Sequence, residues 1–531
     1  MARVTVPGLR RGPRRLPRLG PWATGRLPEL ALVLALMAWA IHARTRDLGA
    51  PLWIDEGISL GVAHHSLLSI PGVLRQDGAP PLFYLVLHVW AGLFGYTSRS
   101  GHALSLLFAV LAVPAAYWAA SVPFGGRAGV LAAAIVALDP FAGTYAIEIR
   151  MYSLLLLVAL LATGAFLRAF VAHPGDRGWA AGFAVALAAV MYTHNWGLFF
   201  AAAAGLVWLG LVAATPAPTR RAVVVSGLIG FAGALVLFAP WIPTVLDQAR
   251  HTGAPWSHAP HLHSIGRAFK QLLGGNVSET VLVLFALAGA VTLLRPRSAP
   301  AARATLATLA LTLLTFAIAY AWSNVGSPAW ALRYLCVVLA PAAIVIGAGL
   351  SRVGPIAAVV IVVLFIGSWY GKPTHASLAH KSNVATVSRR LAGSLPAGTQ
   401  VFSTQPEQVP VLHFYLPPGL RYVTPLGPVP DPRVMDWRDA MKRLDRPAAA
   451  VTFAGVLRRL RPGQRLLLVQ PRFSAPTAPW TRRIRQLARR VLRDRSGDPD
   501  VVVVRSVVPH HGVGRATVSG LVLQRRRGGG R

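Results

Sequence analysis

Of the 531 residues, 54% are hydrophobic and only 13% charged, about half the charged share of an ordinary soluble domain. The formal net charge of +35 rests almost wholly on arginine, since lysine stands only at Lys270, Lys372, Lys381 and Lys442. The basic residues gather toward both ends without zinc-finger spacing or a basic–aromatic platform, which argues against nucleic acid and for anionic membrane lipids as partners, and the lone Cys336 rules out an internal disulfide.

In chain order, residues 1–26 carry Arg3, Arg10, Arg11, Arg14, Arg15, Arg18 and Arg26 and no acid. The apolar run after them ends without a small-residue cleavage site, so this stretch reads as a basic cytoplasmic tail and not as a secretory leader. Apolar blocks follow at 27–41, 104–120, 128–138, 154–171, 180–191, 198–214, 222–239, 280–294, 304–321, 334–350 and 355–369. With small and aromatic extensions they approach the roughly 20 residues a helix needs to span a bilayer. In lipid such segments must be helical, because nothing there pairs with a free backbone amide. The fold class predicted is a polytopic α-helical membrane protein of about 12–13 transmembrane helices over 27–372, with a small C-terminal α/β extracytoplasmic domain.

Basic turns at Arg220 and Arg221, at Arg295, Arg297 and Arg303, and at Arg352 mark the cytoplasmic side. Alternation then puts 46–79, 145–152, 192–196, 247–275, 323–329 and everything after 370 outside. Counting 80–95 as one crossing leaves an odd number of spans between two outer stretches, so a re-entrant or extra helix is needed there. Beyond about 373 the apolar runs shorten. Helices are predicted at 383–391, 437–444 and 481–493 and strands at 400–403, 465–470 and 501–507, an alternation that suggests a partly parallel sheet within 373–524. The tail 525–531 is predicted to lack structure, and no glycine-rich phosphate loop opens any helix.

Polar residues cluster at the outer ends of the spans. The first outer loop, 46–79, holds Trp53, Asp55 and Glu56, then Asp77 and Ala79-Pro80-Pro81-Leu82-Phe83-Tyr84. Two adjacent acids beside an aromatic at a membrane surface, in a chain with 18 acids in all, are either a solvated loop or a functional pair. Tyr145 to Tyr152 encloses Glu148 and Arg150: an interfacial belt with an internal ion pair, or a phosphate site, since a guanidinium fork donates two parallel hydrogen bonds. Tyr192-Thr193-His194-Asn195-Trp196 forms a third knot, in which His194 is a structural or a ligand-facing ring. Arg333, before Tyr334, either snorkels to headgroups or joins the same site.

This set resembles the GT-C glycosyltransferase superfamily, specifically the family 39-like enzymes related to protein O-mannosyltransferases and lipid A aminoarabinose transferases. The resemblance covers about residues 28–370 and rests on Trp53-x-Asp55-Glu56, Ala79 to Tyr84, Glu148-x-Arg150-x-Tyr152, Tyr192-Thr193-His194 and Arg333-Tyr334. It implies a mannosyltransferase-like hexosyl transfer from a polyprenyl-phosphate-linked sugar to a cell-envelope glycan, lipid or protein on the outer membrane face. It further implies Asp55 as general base with inversion, and Arg150 and Arg333 on the donor phosphate. Glu56 and Glu148 orient the acceptor or the arginines, His194 contacts the donor or shapes the site, and Asp77 holds the Pro80–Pro81 turn, with Tyr152 and Tyr334 in support. No cofactor is assigned. His64, His65, His258, His261 and His263 show no ligand spacing, so no metal site is named, and a divalent metal stays open. The chain departs from protein O-mannosyltransferases in lacking β-trefoil insertions. Thr404-Gln405-Pro406-Glu407-Gln408 is either an ordinary polar turn or an acceptor contact. A lipid or small-molecule transporter or flippase is the alternative, although no internal duplication of the kind such proteins carry is visible.

Overall fold

The structure is a computed structural model that describes residues 26–275, 277–294, 300–326, 328–370, 374–446, 452–473, 478–508 and 517–526. Of the predicted N-terminal tail 1–26 only Arg26 falls within these residues, and of 525–531 only Arg525 and Arg526.

Among the described residues seven helices are long and apolar enough to cross a membrane: Leu27–Thr45, Ser98–Phe124, Tyr152–Ala172, Trp196–Ala214, Ala217–His251, Pro300–Val325 and Leu332–Leu350. Shorter apolar helices, among them Gly126–Leu138 and Pro355–Trp369, join them. The buried share, 89% for Tyr152–Ala172 and 83% for Leu332–Leu350 against 11% for Leu27–Thr45, puts the first two at the bundle centre and leaves the third facing outward. Ser98–Phe124 starts under a Thr97 cap, whose hydroxyl accepts from the Ser100 amide at 3.1 Å. It ends at Gly125, which at φ 92° reverses the chain directly into Gly126–Leu138.

The segment at 80–95 settles the parity problem. Tyr117 donates to Glu29 at 2.6 Å at one end of the first two long helices, and the His102 ring donates to the Leu48 carbonyl at 2.8 Å at the other. Everything between 46 and 97 therefore lies on one side. The Leu82–Phe94 helix is present, but it runs along that side against Ile54–Ala63: the His88 ring and the Tyr96 hydroxyl both reach the Ala63 carbonyl, at 2.9 and 3.2 Å. It lies along that side and is not a crossing. Asn195 donates to the Gly78 carbonyl, Gln248 to the Leu74 carbonyl and Trp196 to the Ala329 carbonyl. With the Ile149 amide on Glu56 and the Trp437 amide on the Gln76 carbonyl, these bonds gather the polar loops predicted to share a side onto one face.

On this face sits the C-terminal sheet, in the order β3-β2-β1-β4-β6-β5. Its strands are β1 (Gln400–Ser403), β2 (Arg421–Thr424), β3 (Gly427–Pro428), β4 (Arg465–Pro471), β5 (Val501–Val507) and β6 (Val518–Arg525). β1 runs parallel to β2 and β4, with Gln400 opposite Arg421 and Leu466, and the remaining pairings are antiparallel. One face packs Phe402, Leu466, Leu468 and Leu523 against Phe453 and Leu457. Val401, Leu467, Val469 and Val522 belong to a core continuous with the bundle's. The helix predicted at 437–444 begins only at Ala440, because Trp437 packs against Trp256 and Trp480 and the Asp439 amide donates to the His251 carbonyl at 2.7 Å.

Candidate active site

The Ile54–Ala63 helix opens at Trp53, whose amide donates to the carboxylate of Glu56, three residues on, at 3.1 Å. That start sets Asp55 in the first turn, partly exposed at 19% and open to the cleft. Two arginines from distant segments converge on it. Arg150 brings Nε to 4.0 Å from Asp55 Oδ2, and Arg333 brings Nη2 to 3.8 Å from the same oxygen. Both separations are ion pairs too long for hydrogen bonds. Arg150 is steadied by donating to the Tyr84 hydroxyl at 3.0 Å and to Ser59 Oγ at 3.3 Å. The Nε atoms of Arg150 and Arg333 are both buried without a hydrogen-bond acceptor. Two guanidiniums facing one cleft with spare donors suit a multiply acceptor-bearing anion such as phosphate.

Asp77 ends the Ile70–Asp77 helix beside this group and is buried. Burial raises its carboxyl to about 6, against the pull of Arg150 and with a further push from Asp55. Tyr152, His194 and Tyr334 form an aromatic wall, with the His194 and Tyr334 rings 4.5 Å apart and Tyr152 about 6 Å from each. The Trp196 amide donates to His194 Nδ1 at 3.0 Å, so the ring carries its proton on Nε2.

One predicted residue, Glu56, makes its bonds away from the two arginines. Glu56 is fully buried, and its Oε1 accepts from Lys381 at 2.7 Å, from the His102 ring at 2.7 Å and from the Ile149 amide at 3.1 Å. Burial alone raises a carboxyl, but Lys381 and His102 outweigh it and hold Glu56 at about 2. Glu148 is also buried, and its backbone carbonyl accepts from Ser105 Oγ at 2.6 Å.

Sequence reasoning missed Ser59, His102 and Lys381, quoted Tyr84 only as the end of the Ala79–Tyr84 motif, and left Glu407 between an ordinary polar turn and an acceptor contact. Lys381 carried a signal in its rarity: where arginine fills nearly every cationic position, a retained lysine suits a point-charge donor in a tight buried space. Ser59 was legible one helical turn after Asp55, whose carbonyl its hydroxyl bonds at 2.9 Å. His102 sat inside an apolar helix and gave no such sign. Among the described residues no group of three or more His, Cys, Asp or Glu side chains is gathered as a metal site would need.

The helical bundle with the sheet on the face of its first loop shares its fold with solved structures of membrane glycosyltransferases. The crystal structure of ArnT from Cupriavidus metallidurans superposes with a TM-score of 0.62 at 16% identity, over 94% of this chain and 98% of that one. The same protein has been solved bound to undecaprenyl phosphate, with a TM-score of 0.60. The arabinofuranosyltransferase AftD from Mycobacteria matches at 0.57 and 15% identity, over 94% of this chain and 40% of AftD. The apo oligosaccharyltransferase of Archaeoglobus fulgidus matches at 0.52 and 12% identity, over 85% and 70%. No family model matches the sequence, and no curated protein matches it.

Proposed function

We propose that the protein is a membrane glycosyltransferase that moves a sugar, hexosyl and mannose-like, from a polyprenyl phosphate to a hydroxyl of a cell-envelope acceptor. The observation that carries this reading is the convergence of Arg150 and Arg333 on Asp55 with buried guanidinium N–H groups unpaired. The fold shared with ArnT, itself solved with undecaprenyl phosphate, supports the same donor class. Arg127, Arg220, Arg221, Arg303 and Arg352 lie at turns opposite the site, which supports a cytoplasmic far side and an extracytoplasmic reaction.

In this mechanism Asp55 accepts the proton of the acceptor hydroxyl as its oxygen bonds to the anomeric carbon. The bond from that carbon to the phosphate oxygen breaks on the opposite face, so configuration inverts and the electron pair leaves with the polyprenyl phosphate. Arg150 and Arg333 neutralise the charge that grows there, as fixed donors aimed at a developing anion do. Glu56, tied to Lys381 and His102, positions Asp55 by fixing the helix that bears it; Tyr152, His194 and Tyr334 wall the donor sugar, and Asp77 holds the turn into Pro80 and Pro81.

The test uses purified protein in liposomes with radiolabelled polyprenyl-phosphate sugars and a cell-envelope extract, wild type beside Asp55→Asn. Label moving to an acceptor with wild type alone supports the transferase. Lipid crossing the bilayer with its sugar intact points to a flippase instead and overturns the reading.

A further inference from the structure

The polar run after β1 does not behave as a solvated turn. Thr404, Gln405, Glu407 and Gln408 are all buried, at 0%, 4%, 6% and 1% exposure. The run leads into the Val409–Tyr415 helix, which seats Val411 directly on Gly57 of the Asp55 helix. Glu407 Oε1 is held by Gln405 Nε2 at 2.6 Å and by Trp480 Nε1 at 2.8 Å. Its second oxygen, Oε2, has no partner, nor do Gln408 Oε1 and Thr404 Oγ1. Buried polar atoms in native folds are overwhelmingly paired, so three orphans within five residues call for a ligand.

The bundle side of this run is tied to the proposed donor site. The Trp480 amide donates to the Pro255 carbonyl at 3.3 Å. Two residues on, Ser257 Oγ bonds both the amide and the carbonyl of Trp330, at 2.9 and 2.8 Å, and Trp330 precedes Arg333 by less than one helical turn. One short loop therefore connects the anchor of Glu407 to the arginine that faces Asp55. Glu407 also feels the charge of Asp55, which, after burial, is among the influences that raise its carboxyl to about 7.

We propose that Thr404, Glu407 and Gln408 form the acceptor subsite and that the acceptor is a carbohydrate. The unpaired atoms are chiefly hydrogen-bond acceptors, and a ligand that completes them must offer several O–H donors on adjacent atoms, as a sugar ring does. The inference rests on the transferase reading: one hydroxyl is delivered to Asp55 while its neighbours bond the run.

The experiment supplies the full-length protein in liposomes with a labelled polyprenyl-phosphate hexose, a panel of short mannosyl and glucosyl oligosaccharides, and a Ser/Thr-rich peptide. The expected result is transfer to an oligosaccharide, with the acceptor KM raised about 10- to 100-fold in Glu407→Ala, the size set by losing a hydrogen bond to a charged group. Glu407→Gln restores part of it, and the Kd for undecaprenyl phosphate stays at the wild-type value. Because Glu407 also anchors Trp480, the double variant Thr404→Val with Gln408→Ala provides a second test that leaves that bond intact, and its acceptor KM must rise as well. A fall in kcat with unchanged acceptor KM in both variants overturns the proposal, as does transfer to the peptide while every oligosaccharide is inert. Wild-type protein that binds undecaprenyl phosphate but consumes no donor overturns the transferase reading, a failure distinct from loss of acceptor selectivity.

Discussion

Arg333 and Asp55 face each other across the cleft at 3.8 Å, one from the start of a late helix and the other from the first loop. Arg150 approaches the same carboxylate oxygen at 4.0 Å. A carboxylate between two guanidiniums could serve merely as a structural ion pair. The spacing argues otherwise, because neither arginine closes to hydrogen-bonding distance and each keeps a buried N–H free. Asp55 thus orients two donors while remaining an acceptor itself.

Asp55→Asn keeps the shape and removes the carboxylate proposed as the base. Transfer should fall about 10²- to 10⁴-fold, the usual contribution of a positioned base. Undecaprenyl phosphate should still bind, since both arginines remain. Single-turnover transfer measured beside lipid binding separates the two effects; equal loss of both would mean that Asp55 serves only to hold the arginines.

Arg333→Lys retains the charge but replaces a planar fork with a point donor. Affinity for undecaprenyl phosphate should drop by about 10-fold or more, the cost of a lost charge-assisted bond. Arg150→Lys should lose as much and also free Tyr84 and Ser59. Wild-type affinity in both variants would remove the phosphate from this cleft.

Much of this was legible in the sequence. Apolar block length located the spanning helices, and the scarcity of acids made Asp55 conspicuous. The pairing of Glu56 was not legible, because its partners His102 and Lys381 come from an apolar helix and from the start of the C-terminal region, joined only by packing. The 80–95 segment is apolar enough to look like a crossing, and it takes long-range bonds, those of His102 to Leu48 and of His88 and Tyr96 to Ala63, to reveal that it lies along one face. β2, β3 and β6 escaped: β3 spans only two residues, and β6 interrupts its alternation with Gly520.

Lys381→Met leaves Glu56 as a buried carboxylate held by His102 and the backbone amides of Ile149 and Trp53, without its lysine. Removing one partner of a buried pair typically costs about 3–5 kcal/mol, so the variant should unfold at visibly lower temperature in detergent. Glu56 lies below its ordinary 4.5, at about 2, so its stabilisation is full above pH 4.5 and is lost as pH falls toward 2. Lys381→Met should flatten that acid limb. An unchanged melting temperature and acid profile would show the triad to be dispensable.

Gly57 and Gly61 share the face of the Asp55 helix that meets the C-terminal domain. A Cβ on Gly57 would lie 2.6 Å from Val411 Cβ, and one on Gly61 would collide with the Arg433 carbonyl. Gly61→Ala should therefore displace the domain, at about 1–3 kcal/mol as for overpacking, and expose the 404–408 segment to hydrogen exchange. Protection unchanged from wild type would mean that the interface yields elsewhere.

Glu407 gives the opposite pH signature to Glu56. Burial, countered by bonds from Gln405 and Trp480 and reinforced by the Asp55 charge, lifts it from 4.5 to about 7. The folded protein then holds a proton that the unfolded chain has already released between these values. Unfolding stability must fall as pH rises from about 4.5 to about 7 and level off above, because the native state binds more protons across that window. Glu407→Gln, which cannot titrate, should remove the part of this slope between about 6 and about 7, leaving below it the like-signed share of Asp77, raised from 3.8 to about 6, and the acid limb of Glu56. Thermal unfolding of the two proteins at closely spaced pH values decides it: parallel curves through the window would mean that Glu407 reaches water or a counter-charge in the folded state.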